Sequence, residues 1–143
     1  MDYYQLKNIK NLLERNYFLY IAVFFTTAII VGSLISMNNV ALPDANISDK
    51  SIHSFAYLLL TLSWLLALKS KLNKLKHSIL ICSLVFVYGI IIEVLQGVLT
   101  NYRQADFLDA VANFVGISGA FIFFNLVFYK KKAIKKIYLQ KLF

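Results

Sequence analysis

At 143 residues, 59% of them from the AVILMFWYC set and only 15% charged, the chain lacks the polar surface of a soluble globule, which runs at roughly 45–50% apolar and about 25% charged. Fifteen Lys and Arg against seven Asp and Glu give a formal charge of +8, yet a mean hydropathy of +0.66 excludes both a nucleic-acid binder and a disordered chain. A single cysteine, Cys82, excludes an intramolecular disulfide framework and a Cys-rich zinc module. One small integral membrane domain remains.

A bilayer core about 30 Å thick needs roughly 20 mostly apolar residues per helical crossing, and four stretches approach that length. Residues 1–16 precede them as a basic flank, where Tyr3, Tyr4, Leu6, Ile9, Leu12 and Leu13 recur at helical spacing among lysines. That pattern suits either a helix lying on the inner membrane surface or a solvated flank. The first crossing, residues 17–36, holds no acid, base or histidine and is followed by no A-x-A-like site, so it reads as an uncleaved anchor. The second, residues 51–68, carries His53 near its start; the third, residues 78–100, carries Glu93; the fourth, residues 107–129, carries Asp109 near its start. Residues 130–143 form a basic tail. The expected fold is all-α, an integral membrane four-helix bundle over residues 17–129, with no internal repeat of the kind that builds many transporters.

Lys and Arg flanking a crossing stay on the cytoplasmic side. Lys7, Lys10 and Arg15 precede the first crossing, Lys69, Lys71, Lys74 and Lys76 lie between the second and third, and Lys130, Lys131, Lys132, Lys135, Lys136 and Lys141 follow the fourth. Only Lys50 and Arg103 remain for the opposite side. The expectation is a multi-pass membrane protein with both termini cytoplasmic and two loops outside.

In that topology the polar groups gather at the outer end. Glu93 lies about 22 Å from the cytoplasmic face at 1.5 Å rise per residue. Asp44, Asp49, Lys50 and His53 sit at or before the outer start of the second crossing, and Arg103, Asp106 and Asp109 around that of the fourth. Residues three or four apart share a helix face. Asp49, His53 and Tyr57 therefore line up on the second crossing, Gly89, Glu93, Gln96 and Gly97 on the third, and Asp106, Asp109, Asn113, Gly116 and Ala120 on the fourth. Charged groups are costly in hydrocarbon and those that persist usually face a bundle interior or a wet cavity, so Glu93, Asp109 and Arg103 are expected to be neighbours. Polar residues also join membrane helices, and small ones let them approach closely. Tyr57, Thr61, Gln96 and Asn113 fit that packing role, Gly116 and Ala120 the close approach, and Asp106 equally suits a helix N-cap. Cys82, Trp64 and the tyrosines near helix ends read as lipid-facing or belt residues. His53, Glu93, Asp106 and Asp109 include the ligand types of a metal site, but no HExxH or comparable spacing supports one, so neither metal nor cofactor is expected.

Asp49-Lys50-Ser51-Ile52-His53 followed by Tyr57, then Tyr88-Gly89-Ile90-Ile91-Ile92-Glu93-Val94-Leu95-Gln96, then Arg103-x-x-Asp106-x-x-Asp109-x-x-x-Asn113-x-x-Gly116, resembles the VanZ-like family of small bacterial membrane proteins. The resemblance covers residues 43–120. Members often carry a further glycine where Ala120 stands, and Pro or Gly where Asn101 and Tyr102 precede the arginine; these departures touch packing and a turn and leave the charged set intact. The resemblance implies a cell-envelope protein, since the family's named member is associated with resistance to the glycopeptide antibiotic teicoplanin. The residues themselves add a ligand-binding set at the outer end: Asp49, Lys50, His53, Tyr57, Glu93, Gln96, Arg103, Asp106, Asp109 and Asn113. Membrane lipid, a cell-wall precursor lipid or a glycopeptide is the expected partner, with Arg103 or Lys50 pairing to phosphate or carboxylate. Two alternatives stay open. One is an integral membrane enzyme on an envelope lipid, with His53, Glu93 and Asp109 as acid/base candidates; the other is a proton-linked small carrier, for which four helices suffice only as a homo-oligomer.

Overall fold

The computed structural model describes residues 3–34, 49–69, 75–99 and 106–140, with side-chain surroundings for residues 16–34, 49–69, 75–99 and 106–128. Those residues form four helices: α1 (Tyr3–Leu34), α2 (Asp49–Ala67), α3 (Leu75–Leu99) and α4 (Phe107–Gln140). Within α1 and α4 the basic flank and basic tail continue the apolar segments without a break, although composition alone separated them.

Three segments are long and apolar enough to cross a membrane: Asn16–Leu34, Leu75–Leu99 and Phe107–Phe128. Expected as a fourth, α2 is not in that set by length and composition. Its 19 residues open on Asp49, Lys50 and His53. Its position in the fold gives the physical reason. Tyr57, Leu60, Thr61, Ser63, Leu65 and Ala67 of α2 are all buried, and α2 packs against α4 most extensively, then α1, then α3. A helix shielded by its neighbours tolerates more polar side chains than one facing lipid. The other three expose their apolar residues outward, among them Phe24 and Val31 on α1, Leu84 and Ile91 on α3, and Phe114 and Phe123 on α4.

Side-chain contacts fix which ends meet. Lys50 of α2 reaches Asp106 and Asp109 at the start of α4, His53 of α2 reaches Glu93 late in α3, and Gln96 Nε2 donates to Ser33 O near the end of α1 at 3.0 Å. All four helices thus share one polar end. Toward the other end, Lys69 Nζ stands 4.6 Å over the Phe128 ring, at the foot of a core of Tyr57, Leu60, Leu65, Ile81, Val85, Ile117 and Phe124.

The tight α2–α4 packing depends on Gly116. A Cβ there would stand 2.0 Å from Ser54 O and 3.0 Å from Leu58 N, so only glycine admits the α2 backbone at this distance. Ala120, one turn on, is also buried. Trp64, expected to face lipid, instead packs on the core and donates from Nε1 to Thr26 Oγ1 at 3.2 Å. Cys82 is likewise half-buried against the core. Trp64 is held there by α1, and Cys82 packs on the same core from α3.

Candidate functional site

The polar end is built from the first turns of α2 and α4 and the last turns of α3. Asp106 precedes α4, and its Oδ1 accepts the Leu108 backbone N–H at 2.8 Å. That is the N-cap arrangement, which satisfies a donor the helix leaves unpaired. Its other oxygen, Oδ2, accepts from Lys50 Nζ at 2.6 Å, so Asp106 both caps α4 and binds α2. Lys50 also donates to Asp109 Oδ1 at 3.1 Å. The hydrogen bonds to Asp106 and then Asp109 hold the Lys50 ammonium above its ordinary pKa of 10.5. Conversely, Lys50 and then the Leu108 N–H hold the Asp106 carboxyl below its ordinary 3.8.

Behind this pair sits His53, its side chain 11% exposed. Nδ1 lies 3.3 Å from Asn113 Oδ1 and 3.6 Å from Glu93 Oε1. Both neighbours present oxygen to Nδ1, so the ring donates to them when Nδ1 carries the proton. Nε2 faces the opposite way, 4.0 Å from Asp49 Oδ2 and 4.0 Å from Asp109 Oδ2. Asp49 and His53 are four residues apart on α2, as their spacing predicts, while Asp109 and Asn113 stand at the same spacing on α4 and meet them from across the α2–α4 seam.

One turn deeper, α3 comes close at Gly89. A Cβ there would lie 3.0 Å from Tyr57 Cε1 and 3.3 Å from Asn113 Nδ2. Tyr57 Oη and Asn113 Nδ2 are buried without a hydrogen-bond partner among the described residues. Buried polar atoms of this kind are commonly met by water or a ligand.

Of the residues singled out from sequence, Asp49, Lys50, His53, Glu93, Asp106, Asp109 and Asn113 come together here, with Tyr57 adjoining them from below. Gln96 turns an amide toward α1 and ties Ser33 to α3. Arg103 and Asp44 lie outside the described residues, so the cation beside Asp109 in the described set is Lys50. Among the described residues, four carboxylates face one lysine and one histidine. Lys50, expected to receive a phosphate or carboxylate, is already held between two acids.

A second junction escaped the sequence reading. Thr26 Oγ1 donates to Ala22 O at 2.7 Å and accepts from Trp64, while Thr26 O accepts from Tyr88 Oη at 2.7 Å. One threonine of α1 thereby pins α2 and α3. Beside it lies an apolar cleft of about 260 Å³ lined by Leu60, Trp64, Ile81, Leu84, Val85 and Tyr88 among others. Uncharged Thr, Trp and Tyr carry no sequence signal that distinguishes a junction from a lipid-facing site.

No protein-family model, curated protein or solved structure matches the chain.

Proposed function

We propose that the chain is a cell-envelope membrane protein of four crossings, both termini cytoplasmic, whose polar end opens to the outer leaflet and binds a surface lipid or cell-wall precursor. In this reading α2 crosses as the shielded helix of the four, and the thirteen Lys and Arg assigned to one side by sequence set the orientation. The observation that supports it is the convergence of Lys50, His53, Glu93, Asp106, Asp109 and Asn113 from three helices at one end. Buried ionisable groups are costly in hydrocarbon and mark sites of function more often than of packing. Because carboxylates outnumber cations there among the described residues, the headgroup that suits the site presents an amine or amide rather than bare phosphate.

The resemblance to the VanZ-like family supplies the readout, teicoplanin susceptibility of a bacterial host expressing the chain, with vancomycin as the comparison drug. Glu93→Gln and Asp109→Asn keep side-chain volume and most hydrogen bonding while removing charge. A modest shift in susceptibility is expected from the parent chain, lost in both variants at equal membrane abundance. A parent that gives no shift removes the antibiotic role, and variants that match a shifting parent make the ionised cluster structural. A second reading is favoured by the 3.6 Å approach of His53 Nδ1 to Glu93 Oε1: a membrane enzyme using that pair for proton transfer. Turnover of envelope lipids by the purified protein distinguishes it from binding alone.

A further inference from the structure

Three electron-rich atoms, Asp49 Oδ2, His53 Nε2 and Asp109 Oδ2, lie within 4.8 Å of one another. In the tautomer protonated on Nδ1, beside Asn113 and Glu93, Nε2 presents a lone pair toward two carboxylates at 4.0 Å. That distance is too long for a hydrogen bond and leaves room for a cation among the three atoms. Asp109 divides its two oxygens, giving Oδ1 to Lys50 and leaving Oδ2 toward His53. On the Nδ1 side of the ring, away from these donors, Asn113 Nδ2 and Tyr57 Oη have no hydrogen-bond partner among the described residues.

We infer that Asp49, His53 and Asp109 hold a divalent transition-metal cation of the zinc type, with at least one coordination position open toward the polar end. One imidazole and two carboxylates are a suitable borderline donor set. Donors at about 2.1 Å from a tetrahedral ion stand roughly 3.4 Å apart, so small side-chain rotations, chiefly of exposed Asp49, close the site. Asn113 supplies the outer contact that commonly fixes a metal-bound histidine by its second ring nitrogen. The spacing along the chain conceals this set because its third donor arrives from α4. A bound dication also offsets the carboxylate excess among the described residues. The inference stands on these three donors and not on the lipid reading, which the susceptibility experiment tests separately.

The test uses the full chain, purified in detergent with a histidine-free affinity tag, stripped with chelator and dialysed against Zn²⁺. Metal per chain is then counted by mass spectrometry. One equivalent is expected in the parent, in His77→Ala and in Cys82→Ser. His53→Ala and Asp109→Asn should lose it, and Asp49→Asn, which keeps side-chain volume at an exposed position, should bind at least about tenfold more weakly. Lys50→Gln should bind more tightly, because the ammonium no longer competes for Asp109. Zinc should also raise the thermal midpoint of the parent and not that of His53→Ala. Absence of bound zinc in the parent, or equal binding by parent, Asp49→Asn and a His53→Ala protein that elutes like the parent, overturns the inference.

Discussion

Among the described residues, two polar junctions hold the helices of this protein, and they are built on opposite principles. At Thr26 the partners are neutral, and each bond joins one donor to one acceptor: Trp64 to Thr26 Oγ1, Tyr88 to Thr26 O, Thr26 to Ala22 O. At the polar end the partners are ionisable and unbalanced, with Asp49, Glu93, Asp106 and Asp109 around Lys50 and His53. The first arrangement shows how few polar atoms suffice to fasten three helices in an apolar setting. The second uses far more charge than fastening requires, at a desolvation cost that packing alone does not explain. This contrast is why the polar end, and not the Thr26 junction, is read as the functional site.

The largest effect should come from Gly116, where the contrast depends on backbone approach. A methyl at this position meets Ser54 O at 2.0 Å, and backbone atoms have no rotamer by which to withdraw. Gly116→Ala should force α4 away from α2, separating Lys50 and His53 from Asp109 and Asn113 while leaving the Thr26 junction between α1, α2 and α3 in place. A loss on the order of 3 kcal/mol is expected, seen as a lowered thermal midpoint and reduced yield of monodisperse protein in detergent. Gly119→Ala is the control, since a Cβ there meets only Leu58 Cδ1 at 3.5 Å, an ordinary contact. Equal behaviour of the two variants would show that the seam does not position the site.

The difference between the junctions also decides what was legible in the sequence. Hydropathy runs located all four helices, because burial of backbone polar groups in lipid leaves helix as the open choice. Charge periodicity placed Asp49, His53, Glu93, Asp109 and Asn113 together, because ionisable residues are rare in such segments and their faces follow from a spacing of three or four. Gly116 was likewise marked by its place on the α4 stripe. The Thr26–Trp64–Tyr88 junction was not legible: Trp and Tyr suit both a membrane interface and a packed seam, and only the approach of α1 separates the two. Nor was the dual role of Asp106, since capping and ion pairing were weighed as separate uses of a side chain with two oxygens.

A smaller effect sharpens the comparison. Tyr88→Phe removes the donor to Thr26 O and should cost about 1 kcal/mol, with antibiotic susceptibility unchanged relative to the parent. Glu93→Gln, by contrast, neutralises a carboxylate that is 6% exposed and should leave the thermal midpoint unchanged or raise it, while function is lost. The two variants therefore separate stability from activity in opposite directions. Coincident loss of both properties in each would dissolve the distinction between a fastening junction and a working one.

The smallest expected effect lies at the outermost contact, Lys50 with Asp106. Both residues stand just outside the apolar segments, and the bridge is open to solvent, with side chains 40% and 43% exposed. Exposed pairs contribute little and are screened by salt. The sign on each side is nonetheless fixed. Asp106 is depressed below 3.8 by Lys50 and the Leu108 N–H, so its contribution is full above that value and is lost as pH falls through the depressed pKa. Lys50 is raised above 10.5 by Asp106 and Asp109, so its contribution is full below that value and is lost as pH rises through the raised pKa. Between those limits the bridge contributes a constant amount. Lys50→Gln, whose amide can still donate to Asp109, should therefore lower the thermal midpoint slightly and uniformly across the neutral range, and the difference from the parent should vanish at both extremes. It should not remove the acid limb altogether, because Asp106 still accepts the Leu108 N–H as the cap of α4. High salt should shrink the plateau difference without moving the limbs of the cap. A Lys50→Gln profile superimposable on the parent at low salt would reduce the bridge to a contact without energetic weight and leave Asp106 as a cap alone.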